Sequence, residues 1–261
     1  MGIVYRTKLE GLGTPGAIKI LTGDAQNETN IRRFVRESQL LSRLRHKNIV
    51  RVLDAGELDG RFFFVMEFIT LEELLHQEEA LELSRGFAIL CGIADALDEA
   101  HQHDIVHRDV KPANILIDTN DNPIVMDFGL GKDLGGGLEL TQKGRSLGTP
   151  HYMSPEQVQG TTGDEELSDV YSLGVMAYRV LTGKRPFDAE RVIDLFAQIL
   201  SATPEPPSKF AKGLGRKHDK AILKAMSRDP ADRYQSMEEL AEKFKSFRPK
   251  RSLRRRSRRE L

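Results

Sequence analysis

Two stretches close together in the chain, HRDVKPANIL at 107–116 and MDFG at 126–129, concentrate residue types suited to chemistry. Asp109 offers a carboxylate able to accept a proton, and Lys111 a mobile cation able to neutralise negative charge. Asn114 and Asp127 offer hard oxygen atoms of the kind Mg²⁺ prefers. The competing reading of Asp109 and Asp127 is that they cap helices or turns, a common fate for Asp near Gly and Pro.

A second pair of charges stands in apolar surroundings. Phe34, Leu40, Leu41 and Leu44 recur at helical spacing over Glu28 to Leu44, and Glu37 falls three or four residues from Phe34, Leu40 and Leu41. Either Glu37 sits at the edge of the stripe and reaches water, or it meets a cation on a neighbouring sheet, because a charge is seldom buried unpaired. Lys19, inside the apolar run AIKIL, is the candidate cation, although a lysine between Ile18 and Ile20 can also point to solvent.

The elements that must hold these residues divide in two. Short strands are expected at Ile3 to Tyr5, Ala17 to Leu21, Ile49 to Leu53 and Phe62 to Glu67, with Gly and Asp between them. After Leu71 the pattern becomes mainly helical, with segments near Leu83 to Gln102, Ser168 to Leu181, Val192 to Leu200, Asp219 to Ser227 and Ser236 to Phe247. Two short strands, Ile115 to Ile117 and Ile124 to Met126, interrupt the helices. The expected class is α+β, a small strand-rich lobe before a larger helical one.

The chain has 261 residues, 39% hydrophobic and 30% charged, as in a globular protein and unlike a disordered or membrane-spanning one. No stretch approaches the roughly 20 apolar residues that cross a bilayer, and the amino terminus lacks a basic segment followed by an apolar run. Cys91 is the only cysteine, which excludes an intramolecular disulfide and a cysteine-based zinc site and fits a cytoplasmic setting. The formal charge of +0 hides an asymmetry. Arg248 to Leu261 carries eight basic residues and one acidic residue, a net +7 that leaves −7 for the body.

Together with GTPHYMSPE at 148–156, the two motif stretches resemble the protein kinase superfamily, most closely its bacterial serine/threonine branch. Five specified residues in the H-R-D-x-K-x-x-N pattern arise by chance about once per few million start positions. The likeness extends from Met1 to about Phe247, and implies a two-lobed kinase fold with an N-lobe at 1–67, a C-lobe at 68–247 and a basic, disordered tail at 248–261. It implies that Asp109 accepts or orients the substrate hydroxyl proton, that Lys111 neutralises the γ-phosphate of ATP, and that Asn114 and Asp127 hold Mg²⁺ or Mn²⁺. Lys19 would hold the α- and β-phosphates and pair with Glu37, while Ala17, Met66 and Glu67 would border the adenine. Arg108, Asp169 and the pair Glu156 and Arg233 would support the site. Thr141, eight residues before Thr149, is the first candidate for regulatory phosphorylation, and Ser146 the second.

The sequence also departs from the family pattern. Gly2 and Val4 match the last glycine and valine of the glycine-rich loop, whereas the first strand and two glycines have no counterpart, and Gly16 stands where valine is usual. A short protein with a reduced first lobe and a start assigned at an internal methionine are the two explanations. The expected function is phosphorylation of Ser/Thr hydroxyls of proteins, including self-association for autophosphorylation; the alternative is a pseudokinase-like binding module with impaired ATP binding. A small-molecule kinase ranks below both, because it would lack DFG and GTPHYMSPE. The tail could touch an anionic membrane surface, giving a membrane-peripheral location; it has no aromatic residues for stacking, so specific nucleic-acid binding is not expected. On this reading the chain autophosphorylates at Thr141, and Thr141→Ala lowers transfer from labelled ATP; full activity in that variant would remove Thr141 from the scheme.

Overall fold

The computed structural model describes residues 2–8, 15–21, 41–42, 44–68, 72–73, 80–128, 150–161, 163 and 165–248. Four antiparallel strands open the chain: β1 (Gly2–Lys8), β2 (Pro15–Leu21), β3 (Val52–Leu58) and β4 (Arg61–Glu67), in the order β1-β2-β4-β3. Directly opposed residues in an antiparallel pair share a face. Val4 lies opposite Lys19, Arg6 opposite Ala17, Ala17 opposite Met66 and Lys19 opposite Phe64. One face of the sheet therefore collects Val4, Arg6, Ala17, Lys19, Phe64 and Met66. β1 is the edge strand, and Ile3, Val4 and Tyr5 are 50%, 55% and 51% exposed. The β3–β4 hairpin turns through Asp59 and Gly60, both at positive φ (51° and 71°), the conformation a two-residue turn demands.

The strand expected at Ile49 to Leu53 forms later, at Val52–Leu58. Ile49 instead makes a parallel bridge to Val125, and the N–H of Val50 donates to the Val125 carbonyl at 3.0 Å. Asn48 adds a side-chain bond from Nδ2 to the Pro123 carbonyl at 2.7 Å. The apolar run thus reads as a strand because it is buried and extended, but its first residues pair with the second lobe.

A small second sheet is built from β5 (Glu72–Glu73), β6 (Ile115–Ile117) and β7 (Pro123–Val125). Among the described residues the α-helices are α1 (Leu83–His101), α2 (Pro155–Gln159), α3 (Glu165–Thr182), α4 (Val192–Ser201), α5 (Arg216–Ala225) and α6 (Met237–Lys245). Glu82 caps α1 by accepting from the N–H groups of Ser84 and Arg85, both at 3.0 Å. In α2, Ser154 and Gln157 form a capping box, Pro155 starts the first turn, and Gly160 ends the helix at φ 69°. The helix expected at Ser168 to Leu181 begins a turn earlier, because Glu165 and Glu166 have no apolar periodicity to reveal them.

Every residue of α3 from Ser168 to Thr182 is buried, so this helix is the axis on which the second lobe packs. Its polar residues are bonded rather than bare: Ser172 donates to the Tyr152 carbonyl at 2.7 Å, and Thr182 to that of Tyr178 at 2.7 Å. Gly174 permits the closest approach, since a Cβ there would stand 2.9 Å from atoms of both Ala225 and Met226. Arg233, with no exposed side-chain surface, is fixed from the other side by Glu156, its Nη1 and Nη2 donating to Oε1 and Oε2 at 2.7 Å each. Burial pushes the Glu156 carboxyl up, but the hydrogen bonds and charge of Arg233 outweigh it and hold the group below its ordinary range. Replacing either partner strands the other charge, and such losses cost about 3–5 kcal/mol. Arg233→Ala is accordingly expected to lower the unfolding free energy measured in urea by that amount, whereas Arg191→Ala, at an exposed pair, leaves the urea midpoint near that of wild type.

Candidate active site

The site is assembled from the inside of the second lobe outward. Near its start, α3 presents Asp169, 1% exposed, and its carboxylate accepts from the backbone N–H of His107 (2.8 Å), the backbone N–H of Arg108 (2.8 Å) and Nε2 of His101 (2.9 Å). Arg108 takes a left-handed backbone conformation, φ 61°, unusual for a residue with a Cβ. The two bonds to Asp169 hold that turn in place.

His107 is fully buried and joins this loop to the strand after it. Its Nε2 donates to the Met126 carbonyl at 2.8 Å, and its Nδ1 accepts from the N–H of Asp109 at 3.2 Å, which defines one neutral tautomer. Burial pulls its pKa below the ordinary 6.5, consistent with a neutral ring, and that ring packs against Phe128 at 4.8 Å between centroids.

On this base stands the chemistry. The Asp109 carboxylate receives Lys111 Nζ at 2.8 Å on Oδ2, and Asn114 Nδ2 donates to the Asp109 backbone carbonyl (2.8 Å) and to Oδ2 (3.1 Å). A single 3₁₀ turn, Pro112–Asn114, places Lys111 and Asn114 at its two ends. The Asn114 carbonyl accepts from the N–H of Met126 at 2.9 Å, next to Asp127. From the sheet, Lys19 crosses to Asp127, with Nζ 2.5 Å from Oδ1. Asp127 is itself at positive φ, 53°.

The structure therefore brings Lys19, Asp109, Lys111, Asn114 and Asp127 to one place, under the sheet face that carries Val4, Ala17 and Met66. Gly2 begins β1, opposite Leu21. Glu67 ends β4, and its N–H donates to the Arg51 carbonyl at 3.0 Å. Glu37, Thr141 and Ser146 lie outside the described residues; the partner shown for Lys19 is Asp127. His101 and Glu165 were missed from sequence, while His107 was read only as the first residue of the H-R-D motif and given no role of its own. Of the two missed, His101 left a signal, as a polar residue closing an apolar helix six positions before His107.

The Protein kinase domain family matches residues 1–245. The chain belongs to that family. Among relatives, the domain is 38% identical over 233 residues to serine/threonine-protein kinase PknB of Mycobacterium tuberculosis, covering 86% of this chain and 37% of PknB. It is 38% identical over 234 residues to serine/threonine-protein kinase PrkC of Bacillus subtilis, covering 88% of this chain and 36% of PrkC. The chain thus spans little more than a third of the length of these relatives. Among solved structures, the PknI kinase domain of Mycobacterium tuberculosis aligns with a TM-score of 0.74 at 28% identity, covering 94% of this chain and 90% of that one. The kinase fold is the two-lobed α+β architecture described above. Among the described residues no helix is long and apolar enough to cross a membrane.

The His101 pair gives the kinase domain a measurable pH signature. Burial lowers the His101 pKa, but the hydrogen bond and charge of Asp169 outweigh that, and the net shift is upward from 6.5. A raised pKa means the pair's contribution to stability is complete below pH about 6.5 and fades as pH rises through the folded value. His107, shifted down, acts in the opposite direction, so the comparison must be between variants. The difference in thermal midpoint between wild type and His101→Gln is expected to shrink as pH rises from 5.5 to 9; a difference independent of pH would show that His101 is not charged in the fold.

Proposed function

We propose that this domain transfers the γ-phosphoryl group of ATP to Ser/Thr hydroxyls of proteins, its own included. The observation that carries the reading is the placement of Asp109 between Lys111 and Asn114, with Lys19 and Asp127 meeting across the cleft. In this scheme Asp109 takes the hydroxyl proton as the oxygen bonds to the γ-phosphorus and the bond from that phosphorus to the departing ADP breaks, while Lys111, already at its carboxylate, faces the transferred group and offsets its charge. The loose transition state of phosphoryl transfer asks for positioning and charge neutralisation more than for covalent chemistry, and this set of residues offers both.

Lys19 would exchange Asp127 for the α- and β-phosphates, and Val4, Ala17 and Met66 would cover the adenine. The N–H of Glu67 is engaged by Arg51, so an adenine contact from this residue would use its carbonyl. Asn114 and Asp127 suit Mg²⁺ or Mn²⁺: both are oxygen donors, and Asn114 engages Asp109 through its amide nitrogen, which leaves Oδ1 as its ligand atom. Among the described residues no group of three or more His, Cys, Asp or Glu could hold a metal. Two protein ligands suffice for a cation that also binds phosphates, and such a metal would draw charge from the phosphate oxygens.

The division at Glu67 and Phe68, the tail from Arg248, the phosphorylation of Thr141 or Ser146 and the contact of the tail with an anionic surface belong to the same proposal. They are supported by the family resemblance and by the charge of the tail. Incubation with labelled ATP, Mg²⁺ and a generic protein acceptor is expected to give label on serine and threonine. Asp109→Asn is expected to lower the rate by on the order of 100-fold or more; equal labelling by that variant would exclude Asp109 as the base.

A further inference from the structure

Arg108 directly precedes Asp109, and its guanidinium is held by a residue that carries no motif. Nη2 of Arg108 lies 2.5 Å from Oε2 of Glu165, and Nε donates to the same oxygen at 3.0 Å. Both side chains are about a quarter exposed, 24% and 29%, so the pair is partly shielded from water. A two-point contact from a guanidinium to a carboxylate also sets orientation. Glu165 is the first residue of α3, four positions before Asp169, which binds the Arg108 N–H. Gln157 of α2 donates from Nε2 to the Arg108 carbonyl at 3.1 Å. The N–H, the carbonyl and the side chain of Arg108 are thus each fixed by a different residue, two of them on α3.

From this we infer that Glu165 is a positioning residue for phosphoryl transfer, a role that rests on the kinase reading above. Acting through the Arg108 side chain, it steadies the left-handed turn that Asp169 holds and that aims Asp109, and it keeps the guanidinium from drawing the Asp109 carboxylate away from Lys111. The charge of Glu165 matters here as well as its shape. Glu165 brings a carboxylate to this partly shielded cation one residue from the catalytic carboxylate, beside a cavity of about 380 Å³ lined by Gln157, Thr161 and Arg228. A small anion entering that cavity could meet Arg108 in place of the lost carboxylate.

The test uses the full chain. Glu165→Gln, close in shape but uncharged, is expected to lower kcat by about 10- to 100-fold, the range in which a misplaced catalytic group acts. The KM for ATP and the thermal midpoint are expected to stay near those of wild type. Glu165→Ala is expected to lose at least as much, and to regain turnover when sodium acetate, but not sodium chloride at equal ionic strength, is added. Wild-type kcat in Glu165→Gln, a loss that follows the thermal midpoint, or no regain with acetate would each overturn the assignment. If wild type itself transfers no more label than Asp109→Asn, the kinase reading fails instead. The positioning role is then read from amide hydrogen exchange at residues 107–109: faster exchange in Glu165→Gln supports it, and unchanged exchange overturns it.

Discussion

The carboxylate of Asp169 is the point on which the site is hung. It is almost wholly buried, and burying a carboxylate costs on the order of several kcal/mol unless its lone pairs are met. Three donors meet them, and two are consecutive backbone amides of the loop that carries Asp109. The requirement runs both ways: the carboxylate needs the loop as donor, and the loop needs the carboxylate to hold Arg108 at φ 61°. Because Asp169 belongs to a helix buried on every side, the loop takes its position from the most rigid part of the molecule. The acidic loop residue is thereby given a fixed address without being buried itself.

Layers of attachment follow from that first one. His107 uses both ring nitrogens to tie the loop to Met126 and to the Asp109 amide, and the loop's next turn returns through Asn114 to the same strand. Asp109 and Asp127 thus sit on two backbone segments bonded to one another, and a shift of either is felt by both. The sheet of the first lobe joins through a different kind of contact, the Lys19 and Asp127 ion pair. Beside that pair, the residues before β3 join the lobes by backbone as well, through the bridge of Ile49 and Val50 to Val125.

Much of this was legible in the residues. The short apolar runs of β1, β2 and β4 and the apolar stripes of α1 and α4 place those elements within a few positions of where they lie, because strands and buried helix faces draw on apolar and β-branched residues. The run at Ile49 to Leu53 misled for a physical reason: an extended buried segment looks alike whether it pairs with its own sheet or, as Ile49 does, with the other lobe. The first turn of α3 was hidden because Glu165 and Glu166 add charge and no periodicity. Asp109, Asn114 and Asp127 were visible as a spaced set. Glu165 was not, since a carboxylate at a helix start is ordinary until the fold brings an arginine from 57 positions away against it.

The arrangement of charges explains why so many of them are tolerated in one cleft. Lys19 and Asp127, Lys111 and Asp109, and Arg108 and Glu165 each bring a cation to a carboxylate, so these charges of the described residues are matched in sign. A triphosphate and a divalent cation entering that cleft would find each sign already aimed at a place, with the side chains' reorganisation limited to exchanging one partner for another. Preorganised charge of this kind stabilises a transition state more than free side chains can, because the orientation is completed when the protein folds. The Arg108 pair differs from the other two in lying behind the loop, on the α2 and α3 side, where nucleotide need not displace it. In the proposed mechanism it is the pair that remains formed, holding Asp109 steady while Lys19 and Lys111 change partners.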